Sequence, residues 1–305
     1  MRVLVTGAAG FLGQRLVRAL LEHGCAVACH VRRKVELASL GVNLPSSESD
    51  DQESRLRELC LEFRPDVVVH LASYFVSEHC AADVKPLVES NILLGAHLLE
   101  AMAASGCRSL VYAGTSWQHY RGLPYCPVNL YAATKEAFAT LLAFYSEAHG
   151  MKSCGIHLYD TYGANDPRPK LLQLLCQSTI SSTPIALSEG RQSLHLVHVD
   201  DVARGFLGAT RHVTQLPAHE ARIYRLPARK AVTVRELVEL FNSSNPSKPA
   251  NVTFGSRPYR AREVFEAWEG APILPGWQPT IGLEEGLQDV RWTYEQRANA
   301  GPTHP

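Results

Sequence analysis

The chain has 305 residues, 46% hydrophobic and 20% charged, with 30 Lys+Arg against 30 Asp+Glu. That length fits one large α/β domain with a smaller lobe, and the composition is ordinary for a globular protein. With a formal net charge of zero, no global field draws the chain to nucleic acid or to an anionic membrane, and neither is expected as a partner.

The N-terminal MRVLVTG has no basic start, apolar core and cleavage site of a signal peptide. No run reads as the roughly 20 apolar residues of a membrane span. Eight cysteines are scattered without a CxxC pair, and Cys25 and Cys29 fall in an apolar, strand-like run. Buried thiols and a reduced, cytoplasmic setting are expected.

In chain order, RVLVT reads as a strand and Phe11 to His23 as a helix, with Leu12, Leu16, Ala19 and Leu20 on one face. CAVACHV is a second strand. Val35 to Asp51 carries little pattern, at most a short third strand. Gln52 to Phe63 is helical, Pro65 breaks it, and DVVVHLA follows as a buried strand. A helix from about Asp83 to Ala104, the strand SLVYAGT, a helix from Asn129 to His149 and the strand KSCGIHLYD complete the pattern. This alternation predicts an α/β fold with a doubly wound parallel Rossmann sheet. After Tyr162, Pro and Gly become frequent. HLVHVDDVARGFLGAT reads as a return to the main sheet, with Asp200 and Asp201 starting a helix. The expected organisation is a cofactor-binding domain over 1–165 and about 191–220. A substrate-binding lobe takes about 166–190 and 221–305, ending in a frayed ANAGPTHP tail.

TGAAGFLG places Gly7, Gly10 and Gly13 at the first strand-to-helix turn, followed by Phe11 and Leu12. Glycine there allows a sharp bend and close approach of backbone to a diphosphate, which the helix N-terminus then attracts. A dinucleotide is the expected ligand. At the end of the second strand, an acid would hold the ribose 2′-hydroxyl of NAD. Arg32 and Arg33 stand there instead and suit a 2′-phosphate. NADP is therefore expected, with NAD as the alternative.

YAATK sets Tyr131 and Lys135 on one helical face. A cation beside a phenol favours phenolate, which makes the tyrosine a usable acid/base near neutral pH. Such a spacing arises readily by chance, so position decides its meaning. The preceding strand ends in AGTSWQHY, with Thr115 and Ser116 at its C-terminal edge, where parallel sheets bind ligands.

TGAAGFLG, DVVVHLAS, ESNILLGAHLLEA, the Ser/Thr strand end, YAATK, LYDTYGANDPR and LVHVDDVA appear in that order over nearly the whole chain. In this the chain resembles the extended short-chain dehydrogenase/reductases of the NAD(P)-dependent epimerase/dehydratase group. The resemblance implies that Ser116 orients a carbonyl with Thr115 as neighbour. It implies Tyr131 as acid/base and Lys135 as its tuner and grip on the nicotinamide ribose. Leu71, Ala72, Ser73 and Asn91 would line the cofactor site. It implies, too, a homodimer through the helices around 85–104 and 130–148.

Similar dehydratases carry an Asp-Glu pair just after the catalytic hydroxyl, because elimination of water needs a further acid and base. Trp117 and Gln118 occupy those positions here, so dehydration is not expected. GTSWQHY, PVNLYAATK and DTYG…DPRPK resemble the nucleotide-diphosphate 4-keto-6-deoxysugar 4-ketoreductases of the CDP-abequose synthase type. The expected reaction is NADPH-dependent reduction of the 4-keto group. A 4-epimerase with retained NAD is the alternative. Candidate cations for the substrate diphosphate are Arg168, Lys170, Arg191, Arg257 and Arg260. Asp160 and Leu194 depart from the epimerase pattern, which has an asparagine and an arginine there. No metal is expected. His119 reads as a solvated loop histidine with at most a shuttle role.

Overall fold

The computed structural model describes residues 1–31, 46–47 and 52–300. Arg32 and Arg33, on which the expectation of NADP rests, lie outside the described residues. Two compact units emerge. One comprises Met1–Leu158, Val202–Leu226 and Trp268–Trp277, the other Tyr159–Asp201, Pro227–Ala267 and Gln278–Pro305.

In the first unit, β1 (Arg2–Thr6), β2 (Ala26–His30), β3 (Ser46–Ser47), β4 (Val67–His70), β5 (Ser109–Thr115), β6 (Lys152–Leu158) and β7 (Ala221–Arg225) form one sheet. Its order is β7-β6-β5-β4-β1-β2-β3 and every pairing is parallel. This is the doubly wound Rossmann architecture expected from the alternation. The apolar runs of β1, β2 and β4 are buried almost throughout, as strands covered on both faces must be. Helices α1 (Phe11–Glu22), α2 (Gln52–Phe63), α3 (Leu94–Ser105) and α4 (Leu130–His149) flank the sheet. Leu56 from α2, Leu98 and Met102 from α3 and Phe138 from α4 pack with Leu4, Val68 and Leu110 in one core cluster. Strand order reverses between β1 and β4, the switch point where such sheets bind ligands.

Three features differ from the sequence reading. Residues from 221 onward were expected in the smaller lobe, yet Ala221–Arg225 pairs with β6 as an edge strand of the main sheet. Its sequence ARIYR is charged and mostly exposed, so it lacks the apolar run that marks a central strand. Conversely, the apolar Leu196–His198 pairs with Asp160–Tyr162 in a separate two-stranded sheet. Finally, Ala81–Ser105 is long and apolar enough, by composition, to cross a membrane. It is broken by a π-helical turn at Glu89–Leu93, and it buries Leu87, Leu94, Leu98, Leu99 and Met102 in the protein interior.

In the second unit, Leu171–Ser178, Val234–Ser243 and Leu283–Ala300 are helices around a core that includes Leu172, Leu175, Leu237, Phe241, Leu287 and Val290. Asp201 was expected only to start a helix. Its fully buried carboxylate accepts hydrogen bonds from Thr280 N, Thr280 Oγ1 and Ile281 N, each 3.0 Å, and so anchors a distant segment.

Candidate active site

The first turn after β1 is built by glycine. Gly7 has φ +70°, and a Cβ there would lie 2.6 Å from Ala72 N and 2.8 Å from the Leu71 carbonyl carbon. A Cβ on Gly13 would lie 2.1 Å from Gly7 O. The chain therefore folds back on itself, and against the Leu71–Ala72 backbone, more closely than any side chain permits. Thr6 ties the same strand ends together. Leu71 N donates to Thr6 O at 3.1 Å, and Thr6 Oγ1 and His70 Nδ1 share a hydrogen bond of 2.7 Å. Gly10, the N-cap of α1, offers no side chain to the first-turn N–H groups, and that turn carries no acid. Such a helix end, approached by bare backbone, fits a dinucleotide diphosphate.

Tyr131 and Lys135 stand in the first turns of α4, which Asn129 caps by accepting from Ala132 N at 2.9 Å. Lys135 is buried, with Nζ 6.0 Å from the centre of the Tyr131 ring. Burial lowers the Lys135 pKa to about 8, so its ammonium persists at neutral pH but is held at a cost. Ser116 opens a tight 3-10 turn, Ser116–Gln118, at the C-terminal end of β5. Thr115 Oγ1 accepts from Trp117 N (3.3 Å), and Gln118 Oε1 accepts from Thr115 N (2.9 Å). Gln118 Nε2 donates to Glu136 Oε2 at 2.6 Å, which fastens the Ser116 turn to the helix of Tyr131. Phe75 stands edge-on to Tyr131, with ring centres 4.9 Å apart, and 6.2 Å from Trp117. The structure thus gathers the Ser116 turn, Tyr131, Lys135 and the loop after β4 on one edge of the sheet.

Asn91, expected at the cofactor, spends its amide inside the protein on Ser73, Tyr74 and Thr134. Asp160, Arg168, Lys170, Arg191 and Arg260 all belong to the second unit. Arg168 makes a two-pronged pair with Asp166 through Nε and Nη2, both 2.7 Å. Arg260 pairs with Glu263 and Arg191 with Glu189. Burial lowers the Lys170 pKa, helped by Arg168 and opposed by Asp160 and Asp166.

His119 is not the solvated loop residue its position suggested. Its ring stacks on Trp268, with centres 3.9 Å apart, and on His157, 5.2 Å away. His119 Nε2 and both ring nitrogens of His157 are buried without a hydrogen-bond partner. Burial lowers the pKa of both rings, that of His157 to about 3. Nothing local in the sequence announces Trp268, which arrives from a distant segment. Phe75 lies two residues beyond DVVVHLAS and Thr134 within YAATK, and neither carried a role in the sequence reading.

A glycine turn at the head of a parallel sheet, with tyrosine and lysine one helical turn apart beyond its fifth strand, defines an extended short-chain dehydrogenase/reductase. The model of the NAD dependent epimerase/dehydratase family matches residues 3–224, and the chain belongs to that family. It is 25% identical to CDP-abequose synthase of Yersinia pseudotuberculosis, over 87% of this chain and 91% of that one. It is 26% identical to UDP-glucose 4-epimerase 2 of Arabidopsis thaliana, over 96% and 94% respectively. The crystal structure of Thermus thermophilus UDP-glucose 4-epimerase in complex with NAD superposes with a TM-score of 0.78 at 26% identity, covering 97% of this chain and 99% of that one.

Proposed function

We propose that this nucleotide-sugar enzyme reduces the 4-keto group of a nucleotide-diphosphate 4-keto-6-deoxysugar with NADPH. The observation that carries this reading is the Ser116 turn. Trp117 has no acid or base to offer, and the Gln118 amide is committed to Thr115 N and Glu136. Elimination of water lacks its extra acid–base pair, whereas simple carbonyl reduction needs only Ser116, Tyr131 and Lys135. The likeness to CDP-abequose synthase points the same way.

Bound against Gly7, Gly10, Phe11, Leu12, Gly13, Leu71, Ala72 and Ser73, with Arg32 and Arg33 at the 2′-phosphate, the reduced nicotinamide would supply hydride to the 4-keto carbon. Ser116 Oγ donates to the carbonyl oxygen and fixes its orientation. Tyr131 gives that oxygen a proton as charge develops on it. The Lys135 ammonium favours the phenolate that Tyr131 leaves behind. On the substrate side, Arg168, Lys170, Arg191 and Arg260 offer cations to the diphosphate, with Asp160 and Thr115 as polar contacts.

The test is reduction of a panel of CDP-, dTDP- and GDP-4-keto-6-deoxysugars, followed by loss of the reduced nicotinamide absorbance. Turnover with NADPH on at least one member is expected, and none on the whole panel refutes the reading. The similarity to an epimerase crystallised with NAD favours a second reading, a 4-epimerase that retains NAD. NAD released on denaturing the purified protein, without net consumption of NADPH, would establish it.

A homodimer in a reduced, cytoplasmic setting completes the proposal. Val84, Val88, Leu93 and Phe144 are 43%, 43%, 48% and 62% exposed on the helices around 84–105 and 130–149, an apolar surface suited to a second copy. Light scattering showing monomers at micromolar concentration would contradict it. The eight cysteines are free thiols, and burial pushes those of Cys29, Cys60 and Cys154 up to about 12.

A further inference from the structure

One buried amide is used to its limit. Asn91 lies in the π-helical turn Glu89–Leu93 and is 1% exposed. Its Oδ1 accepts from Ser73 Oγ (3.0 Å) and Tyr74 N (2.8 Å), while Nδ2 donates to Tyr74 O (3.0 Å) and Thr134 Oγ1 (2.9 Å). An asparagine amide has two donor hydrogens and two acceptor lone pairs, and all four meet protein groups here. These bonds join three segments of the chain.

The last of those bonds leads to the site. A hydroxyl that accepts from Asn91 still has one hydrogen to give, and Thr134 gives it to Tyr131 O at 2.7 Å. Thr134 is itself buried. The circuit closes through rings. Phe75 follows Tyr74 and sets its edge on the Tyr131 ring at 4.9 Å, with an interplanar angle of 83°. Beyond Phe75, Ser77 O accepts from Asn129 Nδ2 at 2.9 Å, and Asn129 caps the helix of Tyr131. The loop carrying Phe75 is thus held at Tyr74 by Asn91 and at Ser77 by the cap of that helix.

We propose that Thr134 is a positioning residue for Tyr131: its hydroxyl passes the grip of Asn91 to the Tyr131 backbone and holds the phenol against Phe75. Valine has nearly the shape of threonine but no hydroxyl, so it removes both bonds of that hydroxyl and leaves an Asn91 N–H buried without its acceptor. Serine keeps the bond and loses only a methyl.

This inference rests on the acid role given to Tyr131 above, so the test has one arm that needs no turnover. Thr134→Val and Thr134→Ser are compared with the unaltered protein in three measurements. These are kcat and KM for the 4-keto sugar, NADPH affinity by fluorescence, and the 13Cζ resonance of Tyr131, assigned with Tyr131→Phe. A misplaced reacting group costs rate more than binding, so valine is expected to lower kcat about tenfold or more with KM and NADPH affinity within about twofold. It is also expected to shift or broaden the Tyr131 resonance. Serine should restore both kcat and the resonance. Unchanged kcat with an unchanged resonance in Thr134→Val overturns the proposal, as does an equal loss in valine and serine. Should no sugar on the panel be reduced, the reduction reading fails while the resonance still decides the positioning role. If the valine variant does not fold, Thr134→Ala against Thr134→Ser is judged on the same readouts.

Discussion

Replacing Lys135 by methionine tests how the site holds its charge. Lys135 is 4% exposed, and burial lowers its pKa from 10.5 to about 8. That gap is worth about 3 kcal/mol, at about 1.4 kcal/mol per decade of protonation. Below pH 8 both the folded and the unfolded chain carry the proton, and the folded state bears the full desolvation cost. Between pH 8 and 10.5 the unfolded chain binds more proton than the folded one, so stability rises with pH and the cost fades. Methionine matches the length of the lysine stem without its charge. Lys135→Met is therefore expected to be about 3 kcal/mol more stable than the unaltered protein at pH 7, with the difference closing by about pH 10.5. Denaturant unfolding without cofactor at pH 7, 9 and 10 measures this, and the same variant should lose turnover. A variant of equal or lower stability at pH 7, or an advantage that does not shrink with pH, refutes the reasoning.

Tyr131→Phe removes the proposed proton donor and should lower kcat by about 10²- to 10⁴-fold while NADPH titrates as before; full turnover in the presence of bound cofactor would reject the acid role. Gly7→Ala puts a methyl 2.6 Å from Ala72 N at a φ of +70°, so cofactor affinity measured by fluorescence should collapse, at a stability cost of at least about 1–3 kcal/mol. His30, His70 and His157 are buried, and burial lowers their pKa values to about 4, 3 and 3. Because the unfolded chain binds protons at these positions below about pH 6.5 and the folded chain does not, stability should fall as pH drops, by roughly 2 kcal/mol per histidine at pH 5. Urea midpoints at pH 7, 6 and 5 check this, and a flat profile would contradict it.

The main sheet was legible because β1, β2, β4, β5 and β6 are apolar runs separated by helical patterns, and the fold requires both. The glycine turn and the Tyr131/Lys135 pair were legible because their chemistry lies within a few residues of sequence. What failed was non-local. Ala221–Arg225 joins the sheet through backbone pairing alone, with charged side chains that read as surface. The apolar Leu196–His198 takes a different partner, Asp160–Tyr162, because sheet membership is decided by pairing and not by hydropathy. Likewise Thr134 and Asn91 are 43 residues apart, and no periodicity reveals that one amide links the Phe75 loop to Tyr131. Among the cations proposed for the substrate diphosphate, Arg168, Arg191 and Arg260 each meet a carboxylate within three residues in sequence.

The positions after Ser116 narrow the supply of protons at the site. Trp117 packs near Phe75, Gln118 is held by Thr115 and Glu136, and His119 lies against Trp268. A histidine serves as a shuttle when a ring nitrogen reaches the reacting group directly or through one water, with a pKa near the working pH. In His119, Nε2 is buried without a hydrogen-bond partner and burial lowers the ring's pKa, and both count against a shuttle. The segment Trp268–Trp277 enforces this within the first unit, because Arg225 N donates to Pro272 O at 3.0 Å and Leu274 N to Arg225 O at 3.3 Å, fixing the stretch that follows Trp268. His119→Gln should consequently leave the shape of the pH–rate profile unchanged between pH 5 and 8, with any loss appearing in thermal stability. Disappearance of a limb from that profile in the glutamine variant would make His119 a proton carrier and would return the assignment of the acid to open competition between it and Tyr131.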